Sequence, residues 1–271
     1  MWPTWLDLLK ALTFGLLDGL TELIPVSAEG HLALAQRFLG LSGEHFGPAF
    51  VLLIRLAALS GLVSVYFVRL LRLAIAVFSD PAARRFVYGI ALASVPAGFV
   101  GALAHDLVRG ALSNLWVVCF ALIVGGAVLL WVDHLDPEPR WRDAKLLPLP
   151  AYLLIGIAQV LALVPGISRS GASIVAALLL GADRRAAADF SLWLAMPAMA
   201  GALAYDLYQT HGPLSPADGV VAGVGLAASF VAAFMVARTF VDYVASHGLR
   251  LFAWWRVIVG TLGLMALAVA G

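Results

Sequence analysis

Leu23-Ile24-Pro25-Val26-Ser27-Ala28-Glu29-Gly30-His31 and Leu163-Val164-Pro165-Gly166-Ile167-Ser168-Arg169-Ser170-Gly171 are two copies of one pattern. Each has two aliphatic residues, a proline, then Ser-x-x-Gly, and a further glycine (Gly40, Gly181) ten residues after the motif glycine. Both sit in apolar sequence. The first carries carboxylates and a histidine, the second an arginine and serines. Charged groups on broken helices at membrane depth are costly, so they mark a functional site by default.

Outward from the motifs, the chain is that of a membrane protein. Of its 271 residues 62% are hydrophobic and 12% charged, with mean hydropathy +0.97. A soluble domain has about 45–50% apolar and about 25% charged residues. The formal net charge of +1 gives no field for nucleic acid, and the single cysteine, Cys119, excludes an intrachain disulfide. Met1 to Lys10 lacks a basic region followed by a cleavable apolar core, so no signal peptide is expected.

Six stretches suit a bilayer span of about 20 residues: 49–68, 86–104, 115–132, 188–207, 219–237 and 251–270. Two further apolar regions are broken. Asp18, Glu22, Pro25, Glu29 and His31 interrupt 8–41, and Pro165, Gly166, Arg169 and Gly171 interrupt 151–182. Pro25 and Pro165 are 140 residues apart, and the spans after them are offset by similar amounts. The expected architecture is therefore an all-α polytopic membrane protein in one domain. It contains two repeats, about 8–132 and 151–270, joined by the polar linker 133–150.

Lys and Arg favour the cytoplasmic side. Arg69, Arg72, Arg84 and Arg85 follow the first span; Arg140, Arg142, Lys145, Arg184 and Arg185 follow the third; Arg238 and Arg250 flank the loop after the fifth. The 105–114 loop has only Arg109 and the 208–218 loop has neither residue type. The signs alternate only if neither broken region makes a net crossing. Both are then re-entrant, the first from outside and the second from inside, and the repeats are inverted. Trp2, Trp5, Trp116, Trp254 and Trp255 are expected in an interfacial belt, and Asp206 and Asp242 at span ends. Pro96 and Pro197 predict kinks at matching places in the two halves.

Asp18 and Glu22 are four apart and share a helical face. Such a pair holds a divalent cation through hard oxygens or divides acid and base roles; a solvated helix end is the plain alternative. His31 has the chemistry of a nucleophile toward phosphorus or of a general acid–base, although a lone histidine is more often structural. Ser168-Arg169-Ser170-Gly171, with Ser173 one turn on, reads as an oxyanion pocket: a guanidinium fork, hydroxyl donors and a helix N-terminus. An arginine reaching a lipid headgroup is the simpler alternative. Glu29 and Arg55 are charges in apolar context whose partners, with each other or with Arg169 and Asp18, stay open. The set suits an anionic, phosphorylated ligand with an apolar body, as substrate of a hydrolase or as cargo of a transporter.

At these residues the chain resembles the undecaprenyl-diphosphatase family, the bacitracin-resistance proteins. Gly15 to Ser27 is similar to the family's first signature and Pro165 to Ser173 to its second. The resemblance implies a phosphoric anhydride hydrolase of the bacterial inner membrane. It converts undecaprenyl diphosphate to the monophosphate on the periplasmic side, recycling the carrier for peptidoglycan synthesis. It implies dependence on a divalent cation (Mg²⁺ or Ca²⁺), with Asp18 and Glu22 as the acidic pair. Ser27 and His31 fall at the reaction centre, and Arg169, Ser168, Ser170 and Ser173 on the phosphates. Partners are the polyprenyl diphosphate and membrane lipids, with a homodimer left open. The first motif departs from the family pattern. Asp18 stands for a glutamate, Ala28 and Glu29 stand where Ser-Thr is usual, and Val51 and Arg55 replace a Glu and a Gln. Glu29 and Arg55 are thus candidate modulators. A phosphatase for another lipid phosphate, or a polyprenyl-phosphate transporter, is the alternative reading.

Overall fold

The computed structural model describes residues 3–40, 46–104, 110, 114–135, 138–209 and 216–270. Trp2, Arg109 and most of the 208–218 loop lie outside them. Among the described residues all regular structure is helical, apart from one isolated bridge between Trp141 and Ala182. Six helices are long and apolar enough to cross a membrane. They are α3 (Pro48–Ala76), α4 (Pro81–Leu103), α5 (Leu115–Leu135), α8 (Arg184–Gln209), α9 (Pro216–His247) and α10 (Arg250–Ala270). Each contains one of the six expected spans or matches it to within a residue. With 29 and 32 residues, α3 and α9 exceed the length needed to cross a hydrocarbon core of about 30 Å at 1.5 Å per residue. Their excess carries Arg69, Arg72 and Asp242 beyond the apolar stretch.

The broken regions hold four shorter helices: α1 (Trp5–Thr21) with α2 (Ala28–Phe38), and α6 (Leu149–Val160) with α7 (Arg169–Leu179). None exceeds 17 residues. The breaks fall where the prolines put them. Proline has no N–H to give a preceding turn and pushes the residue before it out of the helical region. The first chain turns again at Ser27 (φ 74°), the second at Gly166 (φ 94°) after a single 3-10 turn at Leu161–Leu163. Ser168 then starts α7 by accepting the Gly171 N–H at 3.1 Å.

Small residues set how these helices pack. A side chain at Gly15 or Gly19 would collide with the α9 backbone at Gly225 and Ser229, so α1 lies directly against α9. In the other half, Gly156 lets α6 meet α4 at the Ala93 carbonyl. An aromatic cluster of Tyr66, Phe86, Tyr152, Phe190 and Trp193 fills the core between α3, α4, α6 and α8. Beside it Asp189 accepts from Tyr66 and Arg69, both at 2.6 Å, and from the Trp193 indole at 3.2 Å. At the end of α5, buried Asp133 pairs with Arg184 at 3.3 Å and Arg250 at 3.2 Å. The loops that their positive charges assigned to one side thus share a contact. Pro96 lies in α4 and Pro197 in α8. These are the second span of one half and the first of the other, so the two prolines do not occupy matching places.

Candidate active site

The two proline breaks meet. A side chain on Gly30 would stand 3.4 Å from the Gly166 Cα, and one on Gly171 would stand 3.5 Å from Pro25. Broken helices leave backbone carbonyls without their usual partners, and here an arginine from α10 serves them. Arg256 donates to the Pro25 carbonyl at 3.1 Å and to the Gly166 carbonyl at 2.9 Å. It also donates to the α5 carbonyls of Ala121 and Leu122 at 3.2 and 3.3 Å. Its side chain is 1% exposed, and Gly125 leaves room for the guanidinium. Sequence reasoning missed this residue. The signal was present, a lone arginine within the 251–270 span, where a charge calls for a partner.

Around this crossing lies a cavity of about 720 Å³. Arg169, at the start of α7, reaches across it to Glu22 at the end of α1: Nη2 to Oε1 is 2.9 Å. Its Nη1 donates to the Ala195 carbonyl of α8 at 3.1 Å. Two residues 147 apart in sequence are thereby brought to one charge-assisted hydrogen bond. A second ion pair lines the same cavity. Arg55 of α3 contacts Glu29 of α2 at 3.3 Å and Asp206 of α8 at 3.6 Å. Asp206, expected near a span end, lies in the last turn of α8 and also lines the cavity. The remaining wall carries many small residues, among them Ala97, Gly98 and Gly101 of α4 and Ala198, Gly201 and Ala202 of α8. The wall thus combines charged groups with small apolar groups on two helices, as an amphiphile requires.

The other expected site residues are placed as follows. Ser27 is in the wall, and it is the only non-glycine residue with positive φ among the described residues. Its hydroxyl does not cap α2. Backbone strain of this kind costs about 1–3 kcal/mol and is concentrated at functional sites. Ser168 is in the wall as the cap of α7. Ser170 and Ser173 are not: Ser170 pairs with the Ser168 hydroxyl at 3.0 Å, and Ser173 donates to the Ser170 carbonyl at 3.0 Å.

His31 also lies off the wall, facing α10. Its Nδ1 is 2.9 Å from the Ser27 carbonyl and its Nε2 is 2.8 Å from the Trp255 indole nitrogen. A carbonyl only accepts and an indole N–H only donates. The imidazole in this arrangement is therefore neutral, with its proton on Nδ1 and both nitrogens engaged. The two rings lie edge to edge and nearly parallel, 8° between planes; the sequence reading had left Trp255 in the interfacial belt. Asp18 is wholly buried between α1 and α9. Its Oδ2 is 3.0 Å from the Ser229 hydroxyl, while Oδ1 has no hydrogen-bond partner. Among the described residues no three of His, Cys, Asp and Glu converge on one point. Among the described residues a divalent cation would thus find at most two such side chains together, as Mg²⁺ does where substrate phosphates complete its shell. The orphaned Asp18 oxygen and the Glu22 carboxylate one turn on are donors of the right class.

Residues 11–262 match the bacitracin resistance protein BacA family. The chain is 53% identical over 262 residues to an undecaprenyl-diphosphatase of Rhodopseudomonas palustris (strain BisB18), covering 97% of this chain and 98% of that one. It is 53% identical to the undecaprenyl-diphosphatase of Afipia carboxidovorans and 52% to that of Nitrobacter winogradskyi, with the same coverage.

Proposed function

The chain belongs to the bacitracin resistance protein BacA family, and from that premise we propose that it hydrolyses undecaprenyl diphosphate to undecaprenyl phosphate and orthophosphate in the cavity between the two broken helices. The observation that carries this reading is the Arg169–Glu22 contact at 2.9 Å in the wall of a cavity with small-residue flanks. The isoprenoid chain lies between α4 and α8, and the diphosphate reaches the ion pairs of the wall. Arg169 holds the terminal phosphoryl oxygens, where charge develops as the anhydride breaks. Ser27 and Ser168 supply hydroxyl donors from the two breaks. Water attacks the terminal phosphorus, and its proton passes to Glu22, of which Arg169 engages one oxygen. The P–O bond to the bridging oxygen breaks, and that oxygen keeps the electron pair as part of the lipid monophosphate. His31 acts through Ser27: its Nδ1–H holds the carbonyl of the strained residue.

The charges of the wall favour a cation. Glu22, Glu29 and Asp206 against Arg55 and Arg169 leave it one charge negative before a diphosphate enters. Held by Asp18, Glu22 and the substrate, Mg²⁺ or Ca²⁺ would offset that repulsion and polarise the phosphoryl group. The membrane placement belongs to the same proposal. The broken regions are re-entrant, and the halves are inverted repeats whose first hairpin opens to the periplasm. In support, α1 packs on α9 and α6 on α4, each hairpin lying against the second span of the opposite half. A homodimer would cover part of the exposed apolar surface of the spans.

The test is orthophosphate release from undecaprenyl diphosphate by detergent-purified protein with Mg²⁺ or Ca²⁺, beside an EDTA control and Glu22→Gln. Release is expected to need the cation and to fall about 10²–10⁴-fold in the variant. A folded wild type that binds the lipid without releasing phosphate would turn the reading toward a lipid carrier.

A further inference from the structure

The cavity holds two arginines, and the hydrolysis proposed above uses one. Arg55 meets its carboxylates at 3.3 and 3.6 Å, longer than the 2.7–2.9 Å of a committed charge-assisted bond. Arg169 and Glu22, at 2.9 Å, are within that range. A guanidinium has five N–H donors, and these two long contacts engage few of them. The carboxylates are not locked either: the Glu29 and Asp206 side chains keep 43% and 33% of their exposure. Glu29 lies in the first turn of α2, where the helix N-terminus favours its charge whether or not Arg55 is beside it.

The two arginines also approach from related positions. Glu29 and Arg169 are separated by 140 residues, the spacing of Pro25 and Pro165, and so are Arg55 and Ala195. Glu29 meets Arg55, and Arg169 meets the Ala195 carbonyl. One half thus presents its cation from the hairpin, and the other presents its cation from the following span. Both reach the same cavity. A lipid diphosphate has two phosphoryl groups, whereas the monophosphate product has one.

We propose that Arg55 is a second phosphate-binding residue, which takes the lipid-proximal phosphoryl group while Arg169 holds the terminal one, and that Glu29 is the counter-anion the substrate displaces. The inference rests on the phosphatase reading. It makes Arg55 a grip common to substrate and product, while Arg169 holds the group that only the diphosphate carries. Hydrolysis removes the terminal phosphate, the two-point grip ends, and Glu29 returns to Arg55 as the product leaves.

The test compares wild type, Arg55→Gln, Glu29→Gln and the double variant, which keeps the net charge of the wall. For each, KM is measured for undecaprenyl diphosphate, together with Ki for added undecaprenyl phosphate. Arg55→Gln and the double variant are expected to raise KM about 10–100-fold, the range of a lost hydrogen bond to a charged group. Ki for the monophosphate, which keeps the phosphoryl group that Arg55 holds, should rise by a similar factor. Glu29→Gln should lower KM, a gain that misfolding cannot imitate. A double variant with wild-type KM, or a Ki that stays at the wild-type value while KM rises, would overturn the role of Arg55 alone. A wild type that releases no phosphate would overturn the phosphatase reading, and this inference with it.

Discussion

Arg169→Ala is expected to lower kcat/KM for phosphate release by about 10³-fold or more, with kcat carrying most of the loss. A single donor aimed at developing charge contributes about 10²–10³, and an arginine on a transferring phosphoryl group about 10³–10⁵. The substitution also strips Glu22 of its partner. Its carboxylate is 16% exposed, so part of the cost of an unpaired charge follows, about 1–3 kcal/mol of stability. These two effects are separable. Adding Glu22→Gln to Arg169→Ala should restore thermal stability in detergent without restoring turnover. Arg169→Lys keeps the charge but not the planar fork that spans Glu22 and the Ala195 carbonyl. It should therefore fall between wild type and alanine. An alanine variant with kcat near wild type would remove Arg169 from the chemistry.

Much of this architecture can be read from sequence because its determinants are local. Pro25 and Pro165 break their helices through their own missing N–H groups, and apolar length marks the six spans. Arg169 stands out because a guanidinium inside a broken apolar segment has few uses other than an anion or a carboxylate. The partners of these residues are different in kind. Glu22 and Arg169, or Asp18 and Ser229, are joined by tertiary packing that leaves no periodicity to detect. His31 shows the limit most clearly. Its type and place beside Gly30 suggested direct chemistry, yet a tryptophan 224 positions away occupies its Nε2. Trp255 itself had an ordinary explanation at a span edge, as did Asp206. Arg256 was passed over because one charge does not spoil an apolar span. In the structure that same charge, placed over four carbonyls, joins the two halves.

The largest stability effect is expected at Arg256. Arg256→Leu should lower stability by about 4 kcal/mol or more, read as a large drop in melting temperature or as failure to obtain monodisperse protein. The Ala121 and Leu122 carbonyls belong to α5 and retain helical partners. Those of Pro25 and Gly166 lie in the breaks, outside any helix. An unmet carbonyl in a dry interior costs about 1–3 kcal/mol, and the loss of a closely packed side chain adds to it. Lysine offers a compact ammonium that cannot bridge both breaks and α5 at once. Arg256→Lys is therefore the informative variant. It should fold with reduced stability and lose kcat more than KM, because the breaks carrying Ser27 and Ser168 lose their common anchor. Arg256→Leu protein with wild-type melting and turnover would show that the breaks hold their positions without it.

If the diphosphate is hydrolysed between the two breaks, at Arg169, a non-hydrolysable analogue should bind there. A structure with the methylene-bridged analogue of undecaprenyl diphosphate, in the presence of Ca²⁺, would show where it lies. Terminal phosphonate oxygens are expected about 3 Å from the Arg169 guanidinium, with the isoprenoid chain between α4 and α8. Phosphonates bound away from Arg169, for example beside His31 and Trp255 on the α10 side, would contradict hydrolysis at Arg169.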